Sequence, residues 1–139
     1  MKTEPVRLYR ITFKHPNERW GSEYISARSR GQAISQRHQA FRESYDGTTY
    51  VQFKALVTCG LAALPPADDG YAYVRRVYKV DPRIGQRARL VNEGASSGKE
   101  GVVAYPGQST AHVHIIFDDL EFAMQAHPFS VELLEAAHG

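Results

Sequence analysis

From Asp81 onward the chain is a succession of short β-branched and aromatic runs broken by turn residues such as glycine, asparagine, proline and aspartate, and this spacing constrains the fold more than any other feature. Arg87 to Val91 (RARLV), Gly101 to Tyr105 (GVVAY), Ala111 to Phe117 (AHVHIIF) and Glu121 to Ala126 each read as a strand. Asp118-Asp119 supplies a turn between the last two, because aspartate side chains bond their own backbone. Phe129 to Glu135 closes the chain as a fifth short strand or a helical turn. Five short strands in about fifty residues indicate a small barrel. Its expected interior is Leu90, Val103, Val113, Ile115, Phe117 and Phe122.

The first part of the chain has a different texture. In Arg7 to Lys14, Tyr9, Ile11 and Phe13 alternate with Leu8, Arg10, Thr12 and Lys14, a period of two that defines a strand with one apolar face. His15-Pro16-Asn17-Glu18 is a turn signal. Trp20 to Ala27 reads as the returning strand, packing through Trp20, Tyr24 and Ile25. Ser29-Arg30-Gly31-Gln32 fits a capping box at the start of a helix. Ala33, Ile34, His38, Phe41 and Tyr45 then recur along one face of that helix, and Asp46-Gly47 stops it. Tyr50 to Val57 reads as a third strand. The predicted fold class is therefore α+β: a β-β-α-β unit, its helix laid on a mostly antiparallel sheet, followed by a small SH3-like all-β barrel. The expected boundaries are residues 1–57 for the first unit, 58–82 for a linker and connecting strand, and 83–139 for the barrel. Within the linker, Tyr71 to Val80 (YAYVRRVYKV) is aromatic and β-branched and reads as a strand.

Eight tyrosines and six phenylalanines are enough to build a core, which separates this chain from disordered ones. Cys59 is the only cysteine, so an internal disulfide is excluded and a cysteine-based zinc site from one chain nearly so. The start lacks the apolar segment of a signal peptide, and Ala55 to Ala67 is too short and too broken to span a bilayer. These features fit a cytoplasmic protein with no membrane partner. The net charge of +2 is uneven: residues 1–57 carry ten Lys/Arg against five Asp/Glu, and the remainder seven against ten. Such an excess steers an acidic partner toward one end.

Gly85-Gln86-Arg87-Ala88-Arg89-Leu90-Val91, followed by Gly98-Lys99-Glu100-Gly101-Val102-Val103, resembles the opening of KOW-type SH3-like barrels. Gly98 and Gly101 would permit the positive φ angles of a tight bend. Val113 to Phe122 resembles the following hairpin, and Leu133-Leu134 the closing end. The resemblance covers residues 83–135. It implies a module of the kind found in ribosomal and transcription proteins and in protein- or peptide-binding domains.

The basic set of the first unit is Arg28, Arg30, Arg37 and Arg42, with Trp20 and Tyr24 nearby in sequence. Arginines beside aromatic rings suit phosphate contact with base stacking. Arg30 and Arg37 lie two helical turns apart, on nearly one side of the helix. His112 and His114 share a strand face and could ligate a metal, with Asp118 or His127 as third ligand, but no ligand set is fixed by spacing and solvent-facing histidines are the expectation. Asp118, Asp119 and Glu121 could act as paired acid and base, although solvated turn residues are commoner. No nucleophile elbow, Walker loop or dinucleotide fingerprint is present. The leading reading is a non-catalytic binding protein without a cofactor, contacting nucleic acid through the arginine-bearing helix. Two alternatives are a phage- or plasmid-type accessory protein that binds a host protein, and an enzyme of unknown class.

Overall fold

The computed structural model describes residues 5–14, 20–44, 52, 57–63, 66–92, 94 and 97–134, and the side chains of 13, 14, 20–22 and 40–44 lie outside that description. The class is α+β, with a β-β-α-β unit followed by a sheet-rich region. Strand β1 (Arg7–Lys14) pairs antiparallel with β2 (Trp20–Ala27), from Arg7 opposite Ala27 to Lys14 opposite Trp20. On its other side β1 pairs with β3 (Val57–Leu61), Ile11 opposite Cys59, giving the order β2-β1-β3. The alternation in β1 has its expected effect: Tyr9 and Ile11 are buried and Arg10 is exposed. Helix α1 (Arg30–Ser44) covers this apolar face. Its Ala33 packs with Tyr9, Ile11 and Ala27, and its Ile34 with Val57 and Cys59.

Ser29 caps α1 as expected, its Oγ accepting the Gln32 main-chain N–H at 3.1 Å. Gln32 answers one residue further back than a capping box requires, accepting the Arg28 N–H at 2.7 Å. The predicted stop at Asp46-Gly47 and most of the predicted strand from Tyr50 to Val57 lie outside the described residues. The observed β3 begins where that prediction ends.

The stretch 71–80 is not a strand. Residues Ala72–Tyr78 form helix α2, ended by Lys79 in the left-handed conformation (φ 60°). Tyr71 and Val74, three residues apart, are both fully buried and join the core of the second unit, which a period of two would not achieve. Asp69 starts the turn into the helix by accepting the Tyr71 N–H on Oδ1 at 3.0 Å. The segment 58–82, expected as linker and connecting strand, is thus shared out: β3 to the first sheet, α2 to the second core.

In the second unit, β4 (Arg87–Leu90), β5 (Glu100–Val103), β6 (Val113–Phe117), β7 (Ala123–Ala126) and β8 (Val131–Leu133) form an antiparallel sheet in the order β7-β6-β5-β4-β8. A 3-10 turn, Pro128–Ser130, leads into β8, so both readings of the chain's end are realised. The core holds Ala88, Leu90, Val103, Val113, Ile115, Phe117, Ala126 and Val131 around Tyr71 and Val74. Phe122, expected inside, is 52% exposed; it precedes β7, and Leu120 from the same turn packs against the core instead. Gly98 has the expected positive φ of 95°, but Gly101 does not. Gly101 is required for another reason: a Cβ there would meet the Ile116 carbonyl oxygen at 2.4 Å.

Side-chain donors and acceptors of the first unit tie the two sheets together. The Arg28 guanidinium donates to the carbonyls of Phe117 (2.8 Å) and Leu120 (3.1 Å from Nη2, 3.2 Å from Nε). Gln36 Nε2 donates to the Glu121 carbonyl at 3.2 Å, and Ser26 Oγ accepts the Tyr105 N–H at 2.8 Å. Tyr24 and Tyr105 meet edge to face, 5.9 Å between centroids.

Candidate functional site

The arginines of the first unit are dispersed by the fold. Arg28 is the clamp just described, its hydrogen bonds directed at main-chain oxygens of the second unit. Arg30 Nε donates to the Cys59 carbonyl on β3 at 2.8 Å. Arg37 forms an ion pair with Glu23 on β2. Since β3 and β2 flank β1 on opposite sides, Arg30 and Arg37 reach opposite edges of the sheet and do not form one row. The side chains of Arg42 and Trp20 lie outside the described residues. Tyr24 is partly buried between Tyr105 and Arg10, whose guanidinium stands 5.8 Å from its ring centroid.

Glu100, Asp118, Asp119 and Glu132 of the second unit are held in ion pairs, and Glu121 is exposed. Arg87 donates to both carboxylate oxygens of Asp118 (2.8 and 2.9 Å) and bonds Glu100. Arg89 bridges Glu100 and Glu132 across three strands, and Lys99 pairs with Asp119. Around α2, Arg75 binds Asp69 through two nitrogens and Asp81 through a third, with Arg83 adding to Asp81. Hydrogen bonds from Arg75 hold the carboxyls of Asp69 and Asp81 below the usual carboxylate range, and the Arg87 fork does the same for Asp118. A carboxyl held ionised is a poor proton donor near neutrality.

The lowered Asp118 value fixes a pH dependence. Its contribution is fully present above the unfolded carboxylate range, about pH 4, and is lost as pH falls through the lower folded value. Asp118→Asn should cost less than about 1 kcal/mol near neutrality, since the pair is largely exposed. In thermal melts the gap to wild type should narrow progressively as pH is lowered below about 4. A gap unchanged below that pH would contradict the assignment.

His112 is exposed. His114 is half-buried, with Nε2 3.1 Å from Thr110 Oγ1, and burial lowers its pKa. Asp118 is engaged by Arg87, and His127 Nδ1 accepts the Phe129 N–H at 3.1 Å. Among the described residues no three His, Cys, Asp or Glu groups converge on one point. No helix among them is long and apolar enough to cross a membrane.

The structure assembles a surface that the chain does not reveal locally. Tyr78 of α2 meets His127 (5.2 Å) and Phe129 (5.3 Å) edge to face, and Tyr73 meets Tyr78 at 6.3 Å. Phe129 is 63% exposed and Val77 46%. Arg76 lies over the Tyr73 ring at 5.6 Å, and Lys79 is exposed at the helix end. About fifty residues separate the two halves of this aromatic ledge, so no motif marks it. The available signal was helical spacing: Tyr71, Val74 and Tyr78 recur at three and four.

Comparison of the chain with protein-family models, curated proteins and solved structures finds no match.

Proposed function

We propose that this chain is a non-catalytic binding protein that holds single-stranded nucleic acid on the aromatic ledge of α2 and the 3-10 turn. The carrying observation is the cluster of exposed Tyr73, His127 and Phe129 around half-buried Tyr78, beside Arg76 and Lys79. The stretch from Ala72 to Val80 contains three cations and no carboxylate. Exposed rings offer stacking faces to unpaired bases, and neighbouring cations meet the phosphates. In this reading the arginines of α1 and of the residues before it are secondary, because Arg28, Arg30 and Arg37 serve contacts within the chain. The second unit is an SH3-like barrel of the KOW kind; its strand order, and the 3-10 turn leading into the strand that pairs with β4, support this. A cytoplasmic setting belongs to the same reading, supported by the lone Cys59.

Fluorescence anisotropy with labelled single-stranded DNA and RNA tests it. Phe129→Ala should weaken binding by about 1–3 kcal/mol, the usual worth of one base–aromatic stack. Arg76→Ala should reduce the slope of log affinity against log salt by roughly 0.7. Absence of binding at low salt would remove the nucleic-acid reading. A second reading, a protein partner such as a host factor, is favoured by the exposure of Met124 on the edge strand β7 and of Phe122 just before it. It would show as binding that persists at moderate salt.

A further inference from the structure

A cleft of about 790 Å³ lies where the two units meet and shares no residue with the ledge. One wall is the edge strand β2, contributing Glu23, Tyr24 and Ile25; β1 pairs with one side of β2, and no described strand pairs with the other. The opposite wall is the turn from Tyr105 to Gln108, with Pro66 and Asp68 beside it.

This wall is built in place. Tyr105 is fixed by its N–H bond to Ser26 Oγ and by its ring contact with Tyr24. Gly70 packs so closely on Pro106 and Gln108 that a Cβ would stand 2.5 Å from Pro106 Cγ and 3.0 Å from the Gln108 carbonyl oxygen. The cleft therefore exists before any ligand arrives, which lowers the cost of binding.

The lining chemistry favours a cation. Tyr105 presents aromatic surface, and Tyr24 meets it edge to face while carrying the Arg10 guanidinium 5.8 Å from its own centroid; cations are attracted to ring faces. Glu23 is neutralised by Arg37. Asp68 is not neutralised: its Oδ1 accepts the Gly70 N–H at 2.9 Å, and among the described residues it makes no ion pair. Burial, with the carboxylates of Asp68 and Glu23 adding to it, pushes the Tyr105 phenol upward. An open strand edge beside a cation site matches an extended chain: backbone pairs with the strand while alternate side chains point into the cleft.

We propose that this cleft binds an extended peptide segment of a partner protein by strand addition to β2, with a lysine or arginine side chain seated between Tyr24, Tyr105 and Asp68.

The probe is a blocked hexapeptide of alternating valine and lysine, titrated into the full chain and followed by ¹⁵N chemical-shift changes. Two control ligands are the same peptide with norleucine in place of lysine, and free n-butylamine. The lysine peptide should shift the amides of β2 and of Tyr105 to Gln108, and should bind at least about fivefold more tightly than the norleucine peptide. Asp68→Asn keeps the acceptor for Gly70 and should weaken lysine-peptide binding about threefold to fivefold without lowering the melting temperature. Tyr105→Leu should weaken it about tenfold. Equal affinity for the norleucine peptide, or shifts confined to other elements, would overturn the cation site. Butylamine binding as tightly as the lysine peptide would overturn strand addition. No detectable binding of the lysine peptide would overturn both.

Discussion

Replacing Tyr71 with alanine should destabilise the protein by about 3–5 kcal/mol, the range for truncating a large buried aromatic side chain. Tyr71 is wholly buried, and its ring fills the centre of the second unit's core. The hydroxyl donates to the Ala104 carbonyl at 2.5 Å and accepts the His114 N–H at 3.2 Å, fastening the end of β5 to the start of β6. Burial pushes the phenol well above its usual value, so it stays protonated throughout the accessible range. Tyr71→Phe retains the ring and should cost about 1–3 kcal/mol, because both main-chain groups lose this partner in the interior. Chemical denaturation of the two variants checks the ordering. A Tyr71→Ala variant within about 1 kcal/mol of wild type would mean that α2 is not part of the core.

Gly101→Val should be nearly as damaging, at or above about 3 kcal/mol, the upper end for overpacked sites. The atoms that its Cβ would strike are the Ile116 carbonyl oxygen, the Phe117 Cα at 2.7 Å and Ile115 Cγ2 at 2.8 Å. The first two are main chain of β6, which cannot retreat by changing rotamer without separating from β5. Gly98→Ala supplies the contrast. Its Cβ meets nothing within 4 Å, but φ is 95°, so the expected penalty is the left-handed strain of about 1–2 kcal/mol. If the two glycine variants melted together, the close approach of β5 and β6 would not be what selects glycine at 101.

Much of the fold was legible because the relevant signals are local. Alternation placed β1, β4, β5 and β6 to within a residue or two, and Ser29 placed the start of α1. The stretch 71–80 misled for a physical reason. Tyrosine and valine favour strands, yet that preference is weak beside the gain from burying Tyr71 and Val74 together on one helical face. Phe122 misled because composition cannot tell which of Leu120 and Phe122 points inward from a turn. The candidate site was less legible still. Arginines in a basic segment look alike in sequence, but only the folded chain shows that Arg28 meets main-chain carbonyls about ninety residues away. The ledge needs Tyr78 and Phe129 brought to 5.3 Å by the core beneath them.

The hydrogen bonds between the units have a consequence for how this sequence can drift. Among the described residues, these bonds join a side chain of the first unit, Ser26, Arg28 or Gln36, to a main-chain group of the second, at residues 105, 117, 120 and 121. Every amino acid supplies a carbonyl, and all but proline an amide N–H. For these bonds the second unit need keep only the path of its backbone, and substitutions at Leu120 or Glu121 leave the acceptors intact. The first unit has no such latitude, since an exchange at Arg28 removes the donors themselves. For these hydrogen bonds mutational tolerance across the junction is therefore one-sided and rests on side chains of the first unit, whereas the Tyr24–Tyr105 ring contact asks for a side chain from each.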